Sequence, residues 1–200
     1  EAHAQLERKQ PDNPLVHNLR GGLMLAKRDV PAARTAFEKA LSLRPDYLSA
    51  AINLARIDLA ERRPDDALGR IKAVIDRNPK NAEALLTLAE LQRSTGAAPA
   101  EVLASLERAE AASPGAVAAN LAIVQHHLRQ RAFPQALQVA QKVAAAHGED
   151  PRAVEMLARA QVAAGDSQQA ISALNKLSSL EPRSAQPFVM LADVQRSLKN

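Results

Sequence analysis

The chain has no cysteine and no tryptophan, and only one tyrosine and three phenylalanines in 200 residues. Without cysteine there is no disulfide, no thiolate-held zinc and no cysteine nucleophile. With aromatics this scarce, the interior must be Ala, Leu, Val and Ile. Those side chains suit close helix–helix packing better than the core of a sandwich or barrel. Seven glycines are too few for a turn-rich β protein. No apolar run approaches the roughly 20 residues of a membrane span, and no signal peptide is visible. A strong charge bias is missing too. Lys and Arg number 26 against 22 Asp and Glu, with 16 and 13 in the first hundred residues and 10 and 9 in the second. This is a mixed-sign solvated surface rather than a basic arm for nucleic acid.

What the chain does have is a period. Pro11, Pro45, Pro79, Pro114 and Pro182 recur, with Gly148 in the one missing slot, at steps of 34, 34, 35, 34 and 34 residues. Ten residues after each marker a small residue is expected where two helices meet. Gly21, Ala55, Ala89, Ala158 and Ala192 stand there, and Val124 is the exception. Twelve residues before the next marker stand Ala33, Ala67, Ala136 and Ala170, with Val102 as the exception. Apolar residues at helical spacing run between these sites, as in Ala33, Phe37, Ala40 and Leu41. Lys27 to Val30, Glu61 to Pro64 and Ala164 to Ser167 read as tight turns between paired helices. Pro64, Pro99 and Pro134 fit a first helical turn, where the missing N–H has no partner to lose. Asp46, Ser113 and Asp150 are predicted to cap helix starts. The pattern predicts an all-α chain of about twelve helices in a single array over 1–200. It comprises a partial repeat (1–11), full repeats at about 14–45, 48–79, 81–114, 116–148 and 150–182, and a partial repeat (184–200). The first helix, Ala2 to Lys9, reads as the second half of an earlier repeat, so a targeting segment upstream of Glu1 is compatible with the sequence.

No constellation of catalytic or ligating residues converges. The adjacent His126 and His127 point about 100° apart on a helix and cannot share a metal. The five histidines, with His3, His17 and His147, are expected on the surface or in a groove. Glu149-Asp150 reads as capping. Ser105, Ser113, Ser172, Ser178 and Ser179 have no His/Asp frame, and no Gly-rich phosphate loop appears. Catalytic, cofactor and metal sites are therefore none, and an enzyme is not expected. RNA-reading helical repeats need a repeated polar code and stacking aromatics. Here the equivalent positions vary without pattern and Tyr47 is the lone tyrosine.

The segment from Leu19 to Leu23 through Ala33-Arg34-Thr35-Ala36-Phe37-Glu38-Lys39-Ala40-Leu41-Ser42-Leu43-Arg44-Pro45 resembles a tetratricopeptide repeat almost residue for residue, and six units agree in register. The resemblance implies a right-handed superhelical solenoid of antiparallel helix pairs, and a noncatalytic scaffold that binds a peptide or partner protein on its concave face. A narrower resemblance rests on Leu48 to Ala60 followed by Pro64-Asp65-Asp66-Ala67-Leu68, on Asn81 to Leu91, and on Ala163 to Asp166. These are similar to the lipoproteins with such repeats in bacterial PEP-CTERM/exosortase systems. That likeness implies a periplasmic, lipid-anchored place in the envelope of a Gram-negative bacterium, in exopolysaccharide production and protein sorting. A cytoplasmic adaptor or co-chaperone is the alternative.

Family geometry, carried onto this chain, lines the inner face with first-helix residues. They include Leu25, Ile52, Leu59, Leu86, Leu121, Leu128, Val162 and Val189. The polar members expected to bind a partner are Asn18, Asn53, Arg56, Glu90, Arg93, Gln125, Arg129 and Arg159. Guanidinium groups can grip a carboxylate through two parallel hydrogen bonds. The alternative is an ordinary solvated groove with ion pairs inside it, such as Arg56 with Glu90. The family's clamp for a chaperone's acidic carboxy terminus needs a set of Lys, Asn and Arg residues, of which only Asn53 has a match.

Overall fold

The computed structural model describes residues 8–198, and among them it is all helix with no strand. The helices are α1 (Pro14–Ala26), α2 (Val30–Leu43), α3 (Leu48–Ala60), α4 (Pro64–Arg77), α5 (Ala82–Ser94), α6 (Pro99–Ala112), α7 (Val117–Arg129), α8 (Phe133–Ala146), α9 (Pro151–Ala164), α10 (Ser167–Leu180) and α11 (Gln186–Ser197). The predicted helix from Ala2 to Lys9 falls mostly outside the described residues. The chain divides into two compact units, Glu1–Ser105 and Leu106–Asn200. In the first unit α1 packs on α2 and α3 on α4, and each second helix also packs on the next first helix. In the second unit α7 to α11 pack in chain order, and α7 also touches α9. Short turns fold each second helix back on its first.

Local chemistry sets the helix ends. Asn13, Asp29, Asn81 and Asp150 accept a hydrogen bond from a first-turn backbone N–H at 2.9–3.1 Å. The prediction is met for Asp150 only. α3 begins after Tyr47 and α7 after Ala116, neither with a side-chain cap. Asp46 and Ser113 therefore sit one and three residues too early to reach the orphan amides. The prolines fall where expected: Pro64 and Pro99 open α4 and α6, and Pro134 is second in α8.

The turn inside each pair repeats a single geometry. Seventeen residues after each marker the backbone turns left-handed, with φ of 63° at Arg28, 60° at Arg62, 81° at Gly96, 56° at Arg131 and 84° at Gly165. One residue later an N–H reaches back five residues to the last turn of the first helix. The pairs are Asp29 to Met24, Arg63 to Asp58, Ala97 to Gln92, Ala132 to His127 and Asp166 to Gln161, at 2.8–2.9 Å. This closure satisfies carbonyls that a helix end otherwise leaves open. It also fixes which positions are equivalent between repeats.

The small-residue seams are buried. Ala33, Ala67, Ala136, Ala158 and Ala170 have no exposed surface, and Ala55 and Ala89 are nearly as deep. Val102 and Val124 are buried as well, so both exceptions are accommodated. Ala192 is the correction: it lies exposed on α11, where no described second helix follows to cover it.

The tightest seam is in the first unit. A Cβ added at Gly21 would sit 2.6 Å from Phe37 Cζ and closer still to Cε1. Phe37 is fully buried, in a cluster with Ala33, Leu54 and Ile57. The ring fills the space that the glycine vacates. Gly21→Ala is therefore expected to cost about 1–3 kcal/mol by overpacking. Phe37→Leu should recover part of that loss in the double variant, although it destabilises the parent. Denaturant unfolding of the four proteins in the cycle checks this, and strictly additive losses would show that the two positions do not touch.

Candidate interaction grooves

In the first unit, residues four and three apart place Ile52, Arg56 and Leu59 on one face of α3. Leu86, Thr87 and Glu90 of α5 face them across a groove floored by Ile71, with a volume of about 440 Å³. Leu59 is 37% exposed although apolar. Glu90 does not make the pair with Arg56 that the solvated-groove alternative had. Arg93 of the same helix takes it, with Nε 2.9 Å from Oε2 and a second contact from its terminal amino group. A partner one helical turn away is held at smaller entropic cost than one on another helix. Arg56 makes no ion pair among the described residues. Asn53 donates to Asn18 across α1 and α3 at 3.1 Å, so these two predicted residues meet each other.

The second unit has a groove of about 540 Å³ between α7 and α9. Leu121, Gln125, Leu128 and Arg129 line one side, and Arg152, Glu155, Met156 and Arg159 the other. Glu155 accepts from Arg159 Nε at 2.8 Å and from Gln186 at 2.6 Å. Arg152 is held by Asp150 at 2.7 Å. Arg129 is exposed and, among the described residues, in no ion pair. Each groove therefore has apolar walls beside one guanidinium in no ion pair among the described residues, and in the second groove Arg152 and Arg159 are each held by a neighbouring carboxylate.

A second polar feature lies beneath the surface. Thirteen residues after the markers from Pro45 to Gly148 stand Asp58, Gln92, the half-buried His127 and Gln161, where the first repeat has the apolar Met24, and Asp58, Gln92 and Gln161 are buried. Asp58 has no exposed surface. It accepts from Arg34 at 2.8 Å, Arg63 at 2.8 Å and Arg70 Nε at 3.1 Å. Glu61 receives the second amino group of Arg34 and shares with Asp58 the same amino group of Arg63, whose other one reaches Asp66. Three charged donors from two helices and a turn thus surround one buried carboxylate. Gln92 is satisfied differently, donating to Glu101 and accepting from the Ser105 hydroxyl, both at 2.7 Å. Sequence reading missed this row because a lone Asp or Gln on an alanine-rich helix carries no sign of burial. The alignment of the markers would have found it.

Two histidines are also corrected. His17 and His126 are buried rather than on the surface. His17 Nε2 donates to the Pro11 carbonyl at 2.6 Å. His126 occupies the position that Ile57, Leu91 and Ala160 hold in other repeats, an apolar slot. Burial, then the nearby His127 and Arg129, hold its imidazole below the usual histidine value. For Asp58, burial pushes the carboxyl up, but hydrogen bonds from Arg34 and Arg70 and their charges outweigh it and hold it below the usual carboxylate range.

Both shifts predict loss of stability toward acid, in separate windows. The unfolded chain protonates histidine first, so His126 contributes stability that fades as pH falls below about 6.5. The Asp58 contribution is complete above about pH 4 and is lost as pH falls through its lowered folded value. Urea unfolding from pH 8 to 2 should show both phases. His126→Leu should flatten the upper phase. Asp58→Asn should shrink the lower one, to which Glu61 and Asp150 also contribute because arginines hold their carboxyls below the usual range, and should cost about 1–3 kcal/mol at neutral pH. A lower phase of unchanged size in Asp58→Asn would assign it wholly to other carboxylates.

A tetratricopeptide repeat model matches residues 1–47 and 52–117, and another of the same description matches 127–194. A search of curated proteins gave no match. Among solved structures, PilW, a type IV pilus biogenesis factor, is 22% identical at a TM-score of 0.70, over 94% of this chain and 86% of PilW. YrrB, a repeat protein with an unusual peptide-binding site, is 13% identical at a TM-score of 0.62, over 98% of each chain. Yeast Tom70 is 17% identical at a TM-score of 0.78, over 98% of this chain and 43% of Tom70. At these identities the likeness carries the fold alone. The family models span most of the sequence, and the chain belongs to the tetratricopeptide repeat family, whose members generally serve as interaction scaffolds.

Proposed function

We propose that this chain binds a partner protein through an extended segment in which carboxylates alternate with apolar side chains, held against the first helices. The observation that carries this reading is the pairing, in each unit, of apolar groove walls with one guanidinium that is in no ion pair among the described residues. Arg56 stands beside Ile52, Leu59 and Leu86, and Arg129 beside Leu121 and Leu128. An unpaired guanidinium at an apolar rim gains most from a carboxylate that arrives with its own apolar neighbour. Arg93 and Arg159 already have carboxylates, so they order the grooves rather than await a ligand. Asn18 and Asn53, tied to each other, and Glu90 and Gln125 supply further hydrogen-bonding capacity.

A role in an envelope system for exopolysaccharide export or PEP-CTERM protein sorting, as a lipid-anchored periplasmic protein, is part of this proposal. It is supported by the sequence likeness of residues 48–68, 81–91 and 163–166. A lipid-modifiable cysteine after a signal peptide upstream of Glu1 in the full gene product would support it, and a cytoplasmic start would exclude it.

Binding of a fluorescein-labelled peptide of alternating Leu and Glu, followed by anisotropy at low salt, tests the groove chemistry. Arg56→Glu with Arg129→Glu should weaken it at least tenfold, while Arg93→Gln with Arg159→Gln should weaken it much less. Affinity should fall with salt. The same peptide with Gln for Glu should bind the parent poorly. Equal loss in both double variants, or none in either, would contradict the assignment.

A further inference from the structure

The apolar surface of the second unit continues beyond the groove that holds Arg129. Fourteen residues after their markers stand Leu59, Leu128 and Val162, all of them groove-lining. Val162 of α9 is 43% exposed although apolar. With Met190 and Val194 of α11 it walls a further groove of about 410 Å³ between α9 and α11. Arg159 lines both this groove and the one between α7 and α9, so the two are adjacent and its side chain divides them. Glu155 holds that side chain and also accepts from Gln186 of α11, which ties the divider to both helices.

The charge at the end of this surface is of the opposite sign. Eleven residues after successive markers stand Arg56, Glu90, Gln125, Arg159 and Asp193, so the row ends on an acid. Asp193 lines the groove of α9 and α11. Arg196 is not in that lining, and its Nη1 lies 3.5 Å from Asp193 Oδ1, with the two side chains 74% and 63% exposed. A wet pair one turn apart contributes little and exchanges readily for another cation. Arg159, by contrast, is already met by Glu155 at 2.7 Å. The surface of this unit thus runs from Arg129 on α7, in no ion pair among the described residues, over apolar side chains to a solvent-facing carboxylate on α11. Packed helix axes lie roughly 8–10 Å apart and an extended chain advances about 3.3 Å per residue, so two helix steps take about six residues. We infer that the partner segment is dipolar. An acidic side chain meets Arg129, apolar side chains lie against Val162 and Met190, and a basic side chain about six residues from the acidic one meets Asp193. This rests on the groove-binding function proposed above and adds to it a cation and its spacing.

The test uses the whole ¹⁵N-labelled chain and two peptides that differ at one end, acetyl-Glu-Ser-Leu-Ser-Leu-Ser-Lys-amide and the same sequence ending in Glu. Amide signals of Arg129, Val162 and Asp193 report occupancy in this unit, separately from binding at α3 and α5. At low salt the Lys peptide should bind there about tenfold more tightly than the Glu peptide or better. Asp193→Lys should reverse that order, and an unchanged melting temperature checks that this exposed replacement leaves the fold intact. Arg196→Ala, which removes the competing cation, should strengthen the Lys peptide and keep the order. Equal affinity of the two peptides for the parent, with the Arg129 signal moving, would overturn the inference and leave groove binding standing. So would a preference for the Lys peptide that survives in Asp193→Lys. If neither peptide moves the signals of Arg56 or Arg129, the groove reading itself falls, and this inference with it.

Discussion

The structure depends on close approach between the two helices of each pair. Alanine, or glycine at position 21, sits where the backbones cross, and these residues have almost no exposed surface in the pairs that are complete. Small side chains here do more than avoid collision. They bring the second helix near enough for buried polar groups on the first to find donors across the seam, as Asp58 finds Arg70 and Gln92 finds Ser105. Where the chain departs from small residues it compensates locally, with Val102 and Val124 buried in slots that alanine fills elsewhere. At Gly21 the trade is extreme, since a single aromatic ring replaces what a methyl group would occupy.

Burial of charge is tolerated only where the geometry surrounds it. An ionised carboxylate with no exposed surface would normally be expensive. Asp58 persists because Arg34, Arg63 and Arg70 converge on it while their outer atoms stay partly in water. The guanidiniums keep part of their hydration, and the carboxylate trades water for three charged donors. At the same register in the fifth repeat a neutral amide suffices, because Asp166, Ala173 and Leu137 replace the three arginines. A carboxylate there would have no cation to meet it.

Much of the fold was legible in the sequence because the marker spacing and the small residues carry the information of the seam. Residues 21, 33, 55, 67, 89, 136, 158 and 170 were named from spacing alone and all are buried. Helix starts were harder. A cap depends on the residue just before the first turn, and an error of one residue, as at Asp46, removes its geometry. The grooves were legible in part. Arg56, Glu90, Gln125, Arg129 and Arg159 line them, but the sequence could not say which guanidinium already has a carboxylate. Three-residue spacing favoured Arg93 for Glu90, and side-chain reach decided the matter. The buried polar row escaped notice because burial of a single Asp or Gln is a property of its neighbours rather than of its own segment.

The central functional claim is that the first helices, not the second, present the binding surface. Amide chemical-shift mapping with the acidic, leucine-bearing peptide addresses it directly. Shifts should cluster at groove-facing positions of α3, α5, α7 and α9, around Arg56, Leu59, Leu86 and Arg129, while α4 and α10 stay quiet. Shifts confined to the second helices, with the grooves unmoved, would contradict the account.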